Sequence, residues 1–272
     1  MMVHLCNFLE AYENSEESFN SYFNRHFSTF HDRSLVVKIL NMEYEPNNIS
    51  DSRAIRWLSS FFDVFDEELI SYSNVFEDLG EAMYNFSFGN DRTSNLTIKQ
   101  LDNLLSLDCS KRESNNAQIL KEEILKMSRI ELKWFIRLWL RKPRAGVLTS
   151  NIRKALVRFY DRDEINEWSK LHSLSYIVRC LEDDVEPEMT LITGQFIKPM
   201  LAKPRPGMKK FDDTIVDYKF DGNRYQIHKS RNNVSIFNRK GKRVTDKFPD
   251  VLDMASEWPD TSVILDCEFY PV

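Results

Sequence analysis

The residues best suited to chemistry lie in one short run, Lys219-Phe220-Asp221-Gly222-Asn223-Arg224. Asp221-Gly222 supplies a tight turn. Placed between the end of one strand and the start of the next, that turn can project Lys219 into a pocket. A lysine in such a place can attack phosphorus, provided its amine is neutral, because an ammonium has no lone pair. Positive charge nearby, from Arg224, Arg239 or a bound divalent cation, would favour the neutral form. The same cations would offset charge on phosphoryl oxygens in the transition state. The plain alternative is a surface lysine at a strand end, and the surrounding sextet argues against it.

The elements that must hold this run differ from those before it. Up to about residue 185 the texture is helical: glycine is scarce (Gly80, Gly89, Gly146) and apolar residues recur three and four apart. Leu96, Ile98, Leu101, Leu104 and Leu105 form one such stripe, with Thr97 and Gln100 spaced as a capping box. Ile119, Leu120, Ile124, Leu125 and Met127 form another. Ile130, Leu132, Trp134, Phe135, Leu138 and Trp139 form a third, expected to stop at Lys142-Pro143. Gly146 sits in the following turn, and Thr149 or Ser150 can cap a helix from Asn151 to Tyr160. The Trp and Phe stripes read as core packing.

From 185 to 213 the texture changes, with Pro187, Pro199, Pro204, Pro206, Gly194 and Gly207 marking a linker or extended arm. Short β-type runs follow at Thr214–Phe220, Tyr225–Lys229, Val234–Asn238 and Val263–Phe269, with a hairpin turn expected at Asn232-Asn233. The expected organisation is an all-α domain (1–185), a linker (186–213) and the first part of a mixed, mainly β domain (214–272).

Composition bounds the function. The chain has 272 residues, 42% hydrophobic and 12% aromatic, enough for buried cores in one large or two ordinary domains. No apolar run reaches the length of a membrane span. The first residues carry Glu10, Glu13, Glu16 and Glu17 without a basic leader, unlike a signal peptide. Cys6, Cys109, Cys180 and Cys267 are too scattered for a zinc cluster and read as reduced thiols of a cytosolic or nuclear protein. The net charge of −5 hides an asymmetry: residues 1–80 hold 14 acids and 5 bases (−9), so the rest balances at +4. Residues 141–160 contain Arg141, Lys142, Arg144, Arg153, Lys154 and Arg158 with no acid. Residues 198–210 add Lys198, Lys203, Arg205, Lys209 and Lys210, again with no acid. Such patches, rather than net charge, govern contact with a phosphate backbone. The turn from Lys142 to Ser150 sets a helix N-terminus beside Arg141, Lys142 and Arg144, joining free N–H groups to positive charge. Solvated helix faces are the bland alternative.

The run Asp217-Tyr218-Lys219-Phe220-Asp221-Gly222-Asn223-Arg224 resembles the adenylation motif of ATP-dependent DNA ligases and the wider nucleotidyltransferase superfamily. Phe196-Ile197-Lys198-Pro199-Met200-Leu201-Ala202 is similar to the segment leading into the catalytic domain of eukaryotic and archaeal ligases. Phe237-Asn238-Arg239-Lys240-Gly241 resembles the second family motif, and Ile264-Leu265-Asp266-Cys267-Glu268 the third. Leu96–Leu105 and Leu132–Leu138 look like the α-helical DNA-binding domain of larger eukaryotic ligases, closest to the ligase IV subfamily of end joining, with ligase III and viral ligases as neighbours. The resemblance runs from about residue 90 to the end, and residues 1–90 carry no placed motif.

The resemblance implies an all-α DNA-binding domain followed by a partial nucleotidyltransferase (ATP-grasp-like) β-rich adenylation domain. It implies ATP and Mg2+ as cofactors and double-stranded DNA with nicks or breaks as partner, bound through its backbone without regard to sequence. Arg141, Lys142, Arg144, Arg153 and Lys154 would face that duplex. Lys219 would form lysyl-AMP, Asp217, Tyr218 and Phe220 would line the adenine side, and Arg224 would hold the nucleotide. Glu268 would meet the ribose and help hold the metal ion, and Arg239 would contact phosphate or the nick. Two departures stand out: Asp217 replaces the usual Glu, and Asn238 the usual Ser. End-joining repair proteins, DNA replication, repair and recombination, and the nucleus (or a cytoplasmic or viral setting) complete the expectation. The family's later motifs, a further metal-binding glutamate and two lysines for the α-phosphate, have no counterpart before Val272, nor does an OB-fold domain. The expectation is therefore a fragment whose self-adenylation is very weak or nil. Two other readings stay open: a non-catalytic DNA-binding or partner-docking module, and an mRNA-capping guanylyltransferase, which shares Lys-x-Asp-Gly.

Overall fold

The computed structural model describes residues 1–272 except 45–46, 48, 87, 89, 111–113, 144–145, 201–217, 220, 232, 260–261 and 271–272. It divides into two compact units: Met1–Ser169 with Ser173–Pro187, and Lys170–His172 with Glu188–Val272.

The first unit is helical. In chain order its helices are α1 (Met2–Glu13), α2 (Phe19–His26), α3 (Arg33–Leu40), α4 (Asp51–Phe62), α5 (Asp66–Phe76) and α6 (Leu79–Asn85). Then come α7 (Ile98–Leu105), α8 (Asn115–Ile124), α9 (Arg129–Trp139), α10 (Thr149–Tyr160), α11 (Ile165–Leu171) and α12 (Leu174–Glu182). α11 ends among the residues grouped with the second unit. Most start on a side-chain cap, because the first N–H groups of a helix lack partners within it. Thr97 and Gln100 form the expected capping box on α7, and Ser128 and Glu131 form a second on α9.

α9 is the axle of this unit, with every residue from Glu131 to Trp139 buried. Trp134, Phe135 and Trp139 pack in one core with Trp57, Phe23 and Phe27. Two buried cations on α9 are fully partnered. Lys133 Nζ lies 3.1 Å from Glu10, 3.0 Å from Glu13 and 2.8 Å from Glu81. Arg137 meets Glu13 and Asp78 at 2.8 Å and Glu81 at 3.1 Å. Desolvation alone would make such charges untenable; the acids supplied by α1 and by the start of α6 offset it. Part of the acidic excess of the first 80 residues thus serves the interior. Glu131 accepts from the backbone N–H of Ser94 and Ser128 and from Ser94 Oγ, at 2.8 to 2.9 Å, pinning the approach to α7 against α9. At Gly80 a Cβ would stand 2.6 Å from the Lys133 carbonyl, so α6 can lie this close to α9 only with glycine there.

Two local expectations are corrected. α9 ends at Trp139, before Lys142-Pro143. Arg141 turns left-handed (φ +56°), its N–H donates to Leu138 O and the Lys142 N–H to Arg137 O, so a Schellman motif stops the helix without the proline. α10 starts at Thr149 after Leu148, and no side chain caps it. Thr149 and Ser150 are already inside the first turn.

The second unit holds a three-stranded antiparallel sheet in the order β2-β1-β3, from β1 (Asn223–Ser230), β2 (Asn233–Asn238) and β3 (Val263–Phe269). Asn233 pairs with Ser230 and is already the first residue of β2, so the turn sits one residue earlier than expected, with Arg231 left-handed (φ +51°). The expected strand from Thr214 lies almost wholly outside the described residues. One sheet face carries Ile227 and Ile236, packed with Val244, Phe248, Val251 and Trp258. Helix α13 (Pro249–Ser256) precedes β3. Buried Lys229 donates to the carbonyls of Ala255 and Trp258, both at 2.8 Å, and so ties β1 to the end of α13. No helix among the described residues is long and apolar enough to cross a membrane.

Candidate active site

The opposite face of the sheet builds the site. Strand alternation puts Arg224, Gln226 and His228 of β1 on it, and the register sets Glu268 beside Arg224 and Asp266 beside Gln226. At its upper end lies a cavity of about 770 Å³, lined by Lys219, Asp221, Gly222, Asn223, Arg224, Tyr225, Asn238, Arg239, Lys240 and Glu268. Thus four of the expected site residues, Lys219, Arg224, Arg239 and Glu268, meet around one space.

Local hydrogen bonds position Glu268, Arg224 and Arg239. The Gly222 N–H donates to Glu268 Oε1 at 3.1 Å, tying the motif turn to β3. A Cβ at Gly222 would fall 2.4 Å from the Phe269 carbonyl, so glycine is required by this crossing. Arg224 grips Asp266 with two parallel bonds, Nε to Oδ1 at 2.8 Å and a terminal nitrogen to Oδ2 at 2.5 Å. The guanidinium holds the Asp266 carboxyl below the usual carboxylate range, and the carboxylate raises Arg224 in turn. Asn238 Oδ1 accepts from the N–H groups of Lys240 and Lys242, at 2.9 and 3.0 Å, and so folds the turn that presents Arg239 and Lys240. The Asn for Ser departure therefore has a definite local role.

Other expected residues are placed differently. Tyr218 is exposed and does not line the cavity. Asp217 and Phe220 lie outside the described residues. Asp266 was visible only as part of a motif. Its pairing with Arg224 depends on a strand register that alternation in sequence hints at but does not determine.

In the helical unit, Arg141 departs from its expected role at a phosphate. Its guanidinium donates to the carbonyls of Met42 and Tyr44 at 3.1 and 2.5 Å and lies 4.6 Å from the Tyr44 ring centre, bracing the loop after α3. Lys142 is exposed and pairs with Asp51. Arg153 is half-buried and Lys154 exposed, both near the uncapped start of α10. Arg144 lies outside the described residues.

The chain resembles DNA ligases along most of its length. Residues 1–157 match the DNA ligase N terminus, and residues 199–272 match the ATP dependent DNA ligase domain. The likeness therefore extends back over residues 1–90, where no motif was placed. A DNA ligase of Methanosphaera stadtmanae is 31% identical over 175 residues, 60% of this chain and 31% of that protein. A probable DNA ligase of Persephonella marina is 24% identical over 81% of this chain and 41% of its own length. A DNA ligase of Sulfolobus acidocaldarius is 25% identical over 82% of this chain and 42% of its own. The chain thus spans about a third to two fifths of the length of these archaeal and bacterial relatives. With one family model covering more than half of its residues and a second reaching its adenylation-type motif, the chain belongs to the ATP-dependent DNA ligase family.

Proposed function

We propose that this chain is the DNA-gripping and nucleotide-accepting front of an enzyme that seals DNA nicks and breaks. The observation that carries the reading is the single cavity shared by Lys219, Arg224, Arg239, Lys240 and Glu268. ATP enters with its α-phosphate at Lys219. The neutral amine attacks phosphorus, a P–N bond forms, and pyrophosphate leaves. AMP then passes to the 5′-phosphate at a nick, and the 3′-hydroxyl displaces AMP to close the backbone. Arg239 and Lys240 hold phosphate oxygens, and Glu268 meets the ribose. Asp221 and Glu268 are the carboxylates of the cavity, a donor set that suits Mg2+ when phosphate oxygens complete it. The ion would supply charge neutralisation. Lys142, Arg153, Lys154 and the bare N–H groups of α10 supply sequence-independent backbone contact to a duplex.

Within the family we place the chain near the end-joining ligases of repair and recombination, acting in the nucleus. That placement rests on Leu96–Leu105 and Leu132–Leu138 alone, and impaired end joining after deletion of the gene would support it.

The test is incubation with α-labelled ATP or GTP and magnesium, followed by mapping of the labelled residue. Weak, acid-labile label from ATP on Lys219, absent in Lys219→Ala, is expected; label that persists in Lys219→Ala overturns the reading. Label from GTP in preference to ATP favours a capping guanylyltransferase. Nick binding that needs neither Lys219 nor ATP, with no label at all, favours a DNA-binding module.

A further inference from the structure

Below the cavity, on the same face of the sheet, the segment from Gly194 to Ile197 is clasped by two buried side chains of β1. Gln226 reads the Ile197 backbone in both directions, accepting from its N–H at 3.1 Å and donating to its carbonyl at 2.6 Å. His228 Nδ1 accepts from the Gly194 N–H at 3.1 Å, and its Nε2 donates toward Gln226 Oε1 at 3.3 Å, which fixes the tautomer. Gln226 and His228 are each less than 7% exposed, so both amide and imidazole would lose hydrogen bonds if the segment left. Between the two anchor points Phe196 packs on Phe237, with ring centres 6.1 Å apart. It also lies against Gly241, where a Cβ would stand 2.8 Å from the Phe196 ring and where the backbone is left-handed (φ +81°). Gly241 closes the turn that carries Arg239 and Lys240 into the cavity.

We propose that Phe196 is a positioning residue: clasped by Gln226 and His228, it sets the Arg239–Lys240 turn against the cavity for the phosphates of the nucleotide. The role rests on the adenylation reading for its chemistry but not for its geometry. The turn is held from one side by the Asn238 side chain and from the other by the Phe196 ring. Removing the ring leaves Gly241 unbacked, and the two cations lose a defined position. A misplacement on the ångström scale is enough to weaken phosphate contacts made by point charges.

The experiment has two independent readouts on Phe196→Ala, Phe196→Leu and Gly241→Ala. The first is limited trypsin digestion, because the turn offers exposed cleavage sites at Arg239, Lys240 and Lys242. Phe196→Ala and Gly241→Ala should raise cleavage in this turn about tenfold, with cleavage in the helical unit as internal reference and with circular dichroism unchanged. The second is the ATP concentration for half-maximal labelling of Lys219, which should rise about tenfold while the maximal rate changes much less. Phe196→Leu should restore most of both. Turn cleavage unchanged in Phe196→Ala and Gly241→Ala overturns the clasp, whatever labelling does. Faster cleavage without a shift in ATP dependence also overturns the positioning role, since the contact would then be purely structural. Absence of label in the wild type counts against the proposed reaction and leaves the protease result to decide the clasp. Should Phe196→Ala unfold, Gly241→Ala perturbs the same contact from the turn side.

Discussion

The two units treat positive charge in opposite ways. On α9, Lys133 and Arg137 are buried and each meets three carboxylates drawn from distant parts of the helical unit. Around the cavity, Arg224 meets a single carboxylate, and Lys219, Arg239 and Lys240 form no ion pair among the described residues. The first arrangement is complete within the chain and serves its fold. The second sets four cations, Lys219, Arg224, Arg239 and Lys240, against two lining carboxylates, Asp221 and Glu268, and that positive excess is how a site for an anionic ligand differs from a structural network. A charge-rich sequence segment is therefore no guide by itself: the most highly charged helix here is an interior one.

The comparison can be broken or sharpened by substitution. Removing Arg137 should have the largest effect on folding, because Asp78, Glu13 and Glu81 would be left facing one another with only Lys133. Arg137→Ala should destabilise by about 3–5 kcal/mol, read as a lowered thermal or urea midpoint; a loss below about 1 kcal/mol would mean the network is relaxed by water. Asp266→Ala should leave the midpoint nearly in place but free Arg224. Nucleotide affinity should then change by about tenfold, by loss of aim or by gain of a free cation, whereas an unchanged affinity would remove Arg224 from the site.

His228 offers a smaller, pH-dependent effect. Burial among Gln226, Phe237 and the Gly194 segment lowers its pKa below the ordinary histidine value, and among the described residues no carboxylate is bonded to it. The folded protein thus takes up its proton less readily than the unfolded chain. This contribution to stability is fully present above about pH 6.5 and is lost as pH falls through that value toward the depressed one. Urea midpoints between pH 7.5 and 5 should fall more for the wild type than for His228→Gln, and equal slopes would sink the assignment. Least of all, Lys142→Ala breaks an exposed pair with Asp51 and should cost less than about 0.5 kcal/mol. Its place in a duplex contact would show instead as a salt dependence of DNA binding reduced by about one counterion, with little change between sequences.

Much of this was legible from residue types and spacing. Thr97 and Gln100 announced the start of α7, because a capping box is a local device with both partners four residues or fewer apart. The strand runs from Tyr225, Val234 and Val263 came from β-branched and aromatic alternation, and their edges moved by only one to a few residues. Lys219, Arg224, Arg239 and Glu268 could be singled out because each sits in a short pattern of fixed spacing. Arg141 misled, because its acceptors at Met42 and Tyr44 lie about a hundred residues back in the chain. Lys133 and Arg137 were hidden for the same reason, and Asp266 because register, not alternation, chose its partner.

The amino-acid sequence by itself determined the local vocabulary of this protein: helix caps, strand alternation, and the turn at Asp221-Gly222 that follows Lys219. These depend on interactions between near neighbours, which spacing records. Tertiary structure alone decided which charges face inward, which carboxylate holds Arg224, and that Phe196 backs the turn bearing Arg239. Those outcomes rest on desolvation and close packing between segments far apart in the chain, and neither quantity has a value until the segments meet.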